Sequence, residues 1–190
     1  MSTQQNALTE YHFKIATNRL GLWLFILSDT FVFGGLLVTR AFLWGGNRPH
    51  LDQGLGLAVT GILLVSSFFM NRAETAMSQG DRRTFVRGIL ITIALGILFL
   101  GGVIGIEWRT APYAAADNVY GAVFYMLTGM HAFHVLTGVI FLLIVWRNEA
   151  RGIYSAERHW PVEAAAVYWH FIDVVWIFLY PAIYLIGTVI

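Results

Sequence analysis

Few residues in this chain can do chemistry, and most of them stand in apolar surroundings. Asp29 sits in GLWLFILSDTFVFGGLLV, His131 and His134 in YMLTGMHAFHVLTG, and Glu163, His170 and Asp173 in VEAAAVYWHFIDVVW. An ionised carboxylate at the centre of a membrane helix costs roughly 2.5 to 3.5 kcal/mol. Asp29 therefore calls for a partner from another segment, or for a neutral, protonated state that donates a hydrogen bond. Ser28 and Thr30 adjoin it but point elsewhere on a helix. Asp29 reads as a proton-handling group or as a structural anchor. His131 and His134 are three residues apart, so both imidazoles share one helix face with Thr128 and Gly138 close by. That spacing serves hydrogen bonding between helices, and it also allows two nitrogens on one metal or haem. His170 and Asp173 repeat the spacing at the head of a face continued by Trp176, Tyr180 and Tyr184, which suits a charge-assisted local pair or a polar glue between helices. Cysteine is absent, which excludes thiolate zinc sites, iron-sulfur clusters and disulfides. A single His-x-x-His falls short of the many histidines and carboxylates that a di-metal membrane site gathers at one depth.

The elements that must position these groups are long and greasy. Hydrophobic residues make up 57% of the chain and charged residues only 12%, against about 25% charged in soluble domains; the mean hydropathy is +0.65. Apolar stretches cover residues 20–42, 54–71, 88–107, 119–147 and 164–189. About 20 residues span a bilayer, so four of the five are comfortable and the second is marginal. The fold expected is all-α, a polytopic bundle of five transmembrane helices forming one integral-membrane domain after a polar tail over residues 1–19. Nothing alternates as a barrel strand would. Gly45 to Pro49, Gln79 to Asp81, Ala111-Pro112 and His159 to Pro161 read as loops. Gly34-Gly35, Gly101-Gly102 and Gly105 suggest close helix approach. The seven tryptophans fall mostly near span ends, where indole suits the interface. Pro181 frees the carbonyl of Ile177, so the last helix should kink in its outer third.

Charge sets an orientation. Lys14 and Arg19, the four arginines at 72, 82, 83 and 87, and those at 147, 151 and 158 lie on one side, leaving Arg40, Arg48 and Arg109 on the other. This asymmetry places the N-terminus inside and the C-terminus outside. The tail lacks a basic n-region and a small-residue cleavage site, so no cleaved signal peptide is expected. A formal charge of +1 gives no basic field that would recommend nucleic acid.

Several runs resemble one family. YWHFIDVVWIFLYPAIY from Tyr168 to Tyr184 looks like the final helix of subunit III of the haem-copper respiratory oxidases, and YGAVFYMLTGMHAFHVLTG from Tyr120 to Gly138 like its penultimate one. Gly80 to Arg83, Ile91 to Gly96, and Ile106-Glu107-Trp108 followed by Ala111-Pro112 fit in the same order. The chain resembles the short, five-helix prokaryotic form, without the first two helices of the long form and therefore without the whole of the lipid cleft they enclose. Asp29 stands where the family usually has glutamate.

The resemblance implies an accessory subunit of an aerobic terminal oxidase in the prokaryotic plasma membrane. Haem and copper would lie in partner subunits I and II, and no cofactor or metal in this chain; further small subunits or a supercomplex would be additional partners, and phospholipid a bound component. It implies support for the stability and proton uptake of the catalytic subunit, with Asp29, His131, His134, Glu163, His170 and Asp173 as an intramembrane polar scaffold or proton-related set and none of them catalytic. The sequence leaves open a quinol oxidase or the related subunit of a nitric oxide reductase. Intramembrane ionisable groups also admit an independent proton channel or transporter, although five helices do not divide into two equal repeats. A membrane cytochrome with His131 or His134 and His170 as haem ligands is a further alternative.

Overall fold

Hydrocarbon offers no partner for a backbone N–H or C=O, so an apolar stretch that crosses it closes its hydrogen bonds within itself as a helix. A computed structural model describes residues 2–189, with side chains described from Phe13 onward. The helices are α1 (Ser2–Trp44), α2 (Gln53–Ser78), α3 (Arg82–Leu100), the short α4 (Trp108–Thr110), α5 (Val119–Ala150) and α6 (Trp160–Tyr180). α3 runs into α4 through a π-helical segment, Gly101–Glu107, and α6 continues into another, Pro181–Leu185. Five helical stretches are long and apolar enough to cross a membrane: Phe13–Trp44, Gln53–Ser78, Arg82–Thr110, Val119–Ala150 and Trp160–Leu185. The polar segment ahead of the first span is itself helical from Ser2; its side chains up to His12 lie outside the described residues. The second stretch, marginal by sequence, belongs to a helix extended by the polar run to Ser78.

Local chemistry sets the helix starts. Asp52, Asp81 and Asn118 accept hydrogen bonds from the amides of Leu55, Thr84 and Gly121 at 3.0, 3.1 and 2.9 Å, which caps α2, α3 and α5. Gly80, at φ +77°, makes the left-handed turn between α2 and α3 that other residues rarely adopt. Pro181 carries no N–H for the carbonyl of Ile177. The expected disturbance takes the form of a wider π turn, closed by Ile186 N donating to Pro181 O at 2.9 Å.

α6 occupies the centre, touching α1, α2 and α5, while α2 and α3 form a closely packed hairpin and α3 also meets α5. In the most apolar stretch of each span, 61% of residues are buried around α6 but only 11% in α1, which lies at the periphery against α5 and α6. The tryptophans divide accordingly. Trp23 and Trp146 are exposed, whereas Trp44, Trp169 and Trp176 are fully buried, so three of the seven serve the interior instead of the interface. Each of the two on α6 bonds to α2: Trp169 Nε1 donates to Ser66 Oγ at 3.0 Å and Trp176 Nε1 to Thr60 Oγ1 at 2.8 Å.

The glycines in closest contact are mostly other than those expected. Gly34, Gly35, Gly101 and Gly105 face open space, and only Gly102 of that group is tight, against Val59. Gly96 and Gly138 instead flank the ring of Trp169. The all-α plan has one small addition, a two-residue parallel pair joining Asn47–Arg48 to Thr188–Val189. Arg40, counted by sequence among the loop charges, lies buried in α1 and donates to Ile186 O, which ties the last described turn to the first span.

A methyl group added at Gly96 would stand 2.7 Å from the Trp169 ring and 2.9 Å from Val139. Gly96→Ala should destabilise the protein by about 1 to 3 kcal/mol in detergent unfolding, while Gly35→Ala should not. Equal effects would refute this packing assignment.

Candidate functional site

The six ionisable residues singled out by sequence fall in three places. In the first, Asp29 of α1 meets His134 of α5, with His134 Nε2 3.3 Å from Asp29 Oδ2. This is ion-pair distance, although the alignment is not that of a formed hydrogen bond. The partner from another span that Asp29 required is thus a histidine. His134 Nδ1 lies 2.8 Å from Met130 O, and a carbonyl only accepts, so Nδ1 carries a proton. Nε2 is then the nitrogen through which the ring addresses the Asp29 carboxyl.

The same reasoning orders the neighbouring hydroxyls. Thr137 Oγ1 donates to His134 O at 2.9 Å and lies 2.8 Å from Tyr168 Oη. Its single proton is committed, so Tyr168 of α6 donates to Thr137. Phe33 packs edge-on against His134, ring centres 5.0 Å apart. His131, one turn before, is enclosed by Trp176 at 4.7 Å, Phe99 at 5.5 Å and Phe33 at 6.4 Å, and neither of its nitrogens has a hydrogen bond. One imidazole addresses a carboxylate and the other lies among aromatic rings.

The second place is the α2–α6 contact. His170 Nδ1 is 2.6 Å from Ser67 Oγ. Asp173 is buried near Ser67, yet neither of its oxygens has a hydrogen bond of normal geometry. The local His170–Asp173 pair suggested by their spacing is replaced by a shared orientation towards the hydroxyls of α2. Tyr184 is also buried and its hydroxyl has no bond, so the polar tips along this face are satisfied at Trp176 but not at Tyr184.

The third lies at the start of α6. Arg19 of α1 donates to Glu163 Oε2 at 2.9 Å and sits over the Trp160 ring at 5.5 Å, while His159 Nε2 is 3.5 Å from Glu163 Oε1. Glu163 thereby clamps the peripheral helix to the central one. A parallel clamp, Arg82 Nε to Glu149 Oε1 at 2.8 Å, joins α3 to α5.

Sequence reasoning passed over Glu149 as well as Glu107, a buried carboxyl in the π segment whose oxygens have no hydrogen bond. The available signal was an acid directly following the apolar run that ends at Ile106. The hydroxyls Thr60, Ser66, Ser67 and Thr137 carried no signal of their own, because Ser and Thr are common on membrane helices bonded back to their own backbone, as Thr60 is to Gly56 O at 2.7 Å.

Among the described residues no group of three or more His, Asp or Glu side chains could hold a metal ion. Fold and site together define a polytopic helical membrane protein in which Asp29, Glu149, Glu163 and His170 meet partners on other helices, while His131, Asp173 and Glu107 are buried without a hydrogen bond of normal geometry. The sequence matches the family described as cytochrome c oxidase subunit III over residues 3–188. It is 35% identical over 174 residues to cytochrome c oxidase subunit 3 of Thermostichus vulcanus, covering 88% of this chain and 86% of that one. It is 38% identical over 185 residues to the Anopheles gambiae protein of the same name, covering 90% of this chain and 70% of the relative. The chain belongs to the cytochrome c oxidase subunit III family, and is accordingly part of an oxidoreductase complex in a membrane.

Nitrogen NMR of histidine-labelled protein should find His134 Nδ1 protonated. A ring protonated only at Nε2 would contradict the bond from His134 Nδ1 to Met130 O.

Proposed function

We propose that this chain is the accessory subunit III of an aerobic haem-copper terminal oxidase of the cytochrome c type. It sits in a prokaryotic plasma membrane with its N-terminus inside and its C-terminus outside, beside subunits I and II that carry the haem and copper. The observation that carries this reading is the family match across nearly all of the chain. The interior supports it as well: Asp29, His134, Glu163 and His170 meet partners on neighbouring helices and His131 meets aromatic walls, as in a scaffold, while Asp173 lies buried without a hydrogen bond of normal geometry. His131 and His134 do not fit a shared haem or copper, because one imidazole lies among aromatic rings and the other faces Asp29.

Support of stability follows from rigidity, since a bundle cross-bonded between spans offers a partner a fixed surface. Support of proton uptake rests on Asp29 and His134, a carboxyl and an imidazole that face each other between α1 and α5 and can pass a proton between them. The distribution of basic residues carries the orientation.

Affinity purification of the full chain from its native membrane in mild detergent should bring down a subunit with haem and copper spectra, and mass spectrometry should identify a cytochrome c-type subunit II beside it. Recovery of the chain alone, or with its own Soret band, would refute the proposal. A quinol-type or nitric oxide reductase-type partner would redirect it within the same family. A reporter fused at Ile190 should be active only outside the cytoplasm, and cytoplasmic activity would reverse the assigned topology.

A further inference from the structure

Where α2 turns into α3, an open pocket of about 420 Å³ lies against the hairpin, bordered by Phe68, Asn71, Arg72, Thr75, Gln79 and Asp81. Its chemistry changes along the helix axis. Phe68, 61% exposed, lies near the end of the apolar run of α2, which closes at Met70; Asn71, Arg72 and Thr75 follow on the next turns, and Asp81 stands at the tip. Such a gradient from hydrocarbon to fixed charge matches the boundary between acyl chain and headgroup.

The two charges differ in how they are held. Asp81 accepts from Thr84 N at 3.1 Å as the cap of α3. The Thr84 hydroxyl and amide, then the Arg83 amide and last the field of Arg72, keep its carboxyl below the usual aspartate range, so it is anionic at neutral pH. Arg72 makes no hydrogen bond or ion pair at contact distance among the described residues and reaches Asp81 only through its field. A cation with free donors and an anion with free lone pairs thus face one pocket without neutralising each other in contact.

We propose that this pocket seats the headgroup of a zwitterionic phospholipid bearing a primary ammonium, with the phosphate on Arg72, the ammonium on Asp81 and an acyl chain along Phe68. The guanidinium fork suits phosphate, and the carboxylate suits a group with N–H bonds to give. A trimethylammonium headgroup has none, and no aromatic cage stands at Asp81 to hold it. A headgroup whose only charge is its phosphate would leave Asp81 without a partner, and free phosphate would use neither Asp81 nor Phe68. The site requires only that α2 and α3 span a membrane, and so stands or falls separately from the oxidase reading.

The test uses the full chain purified with its partners, stripped of lipid and offered diacyl phosphatidylethanolamine, phosphatidylcholine, phosphatidylglycerol or inorganic phosphate, with retained molecules counted by native mass spectrometry. Subtracting the counts for Arg72→Gln from those of the wild type cancels lipid held elsewhere. Phosphatidylethanolamine should dominate that difference, and Arg72→Gln should weaken its retention roughly ten-fold, as loss of a hydrogen bond to a charged group implies. Asp81→Asn keeps the helix cap, since Asn caps as well as Asp, and should abolish the preference over phosphatidylcholine while leaving helix content and the unfolding midpoint unchanged. Unchanged retention in Arg72→Gln, a difference dominated by phosphatidylcholine or phosphatidylglycerol, displacement by inorganic phosphate, or an intact preference in Asp81→Asn would each overturn the proposal.

Discussion

An indole N–H inside hydrocarbon has no water to turn to, so the bonds from Trp169 to Ser66 and from Trp176 to Thr60 constrain where α6 can lie. The two donors stand seven residues apart, two turns along one face, and the two acceptors six apart on α2. Rotating α6 or sliding it by a turn would break both bonds at once. The acceptors are themselves fixed, because Thr60 and Ser66 give their own protons to the α2 carbonyls of Gly56 and Leu63 at 2.7 and 2.6 Å. A central helix locked in this way lets the peripheral elements be held by fewer contacts: α1 by Asp29–His134 and Arg19–Glu163, and the last described turn by Arg40 on Ile186.

Location then separates the roles of chemically similar residues. His131 and His134 are one turn apart on α5, yet the first is walled by Trp176, Phe99 and Phe33 and the second opens onto a carboxylate. Rings packed around an imidazole give it contact but no proton to exchange, whereas Asp29 gives His134 an ionisable partner. Glu163 and Glu149 lie nearer the ends of their spans and pair with arginines, which costs less than pairing at mid-span because both arginines remain exposed. Among the described residues, contacts of this kind tie α1 to α5 and α6, and α3 to α5.

Much of this was legible from residue types. Five apolar stretches, their loops and the family resemblance follow from length, charge and motif order, and the need of Asp29 for a partner on another span follows from the cost of its charge. The identity of that partner was not legible, because His134 has the same local sequence whether it faces α1, α6 or a metal. His170 and Asp173 share spacing but not a bond, since i, i+3 adjacency brings two side chains together only when neither finds a better partner across the interface, and Ser67 is such a partner for His170. Gly34-Gly35 looked like a packing motif but lies on a helix that is largely uncovered, whereas Gly96 and Gly138 owe their role to the Trp169 ring. Short-range pattern identifies which groups need partners; only the packing of distant helices determines which ones they receive.

Cross-helix bonds from α6 to α2 hold the bundle's interior in place. If so, a double-mutant cycle on Trp176→Phe and Thr60→Val, read as unfolding free energy in detergent, should show a favourable coupling of about 0.6 kcal/mol, and up to about 1.7 kcal/mol, the range found for hydrogen bonds between membrane helices. Strictly additive effects of the two substitutions would mean that the bond does not hold α6 to α2.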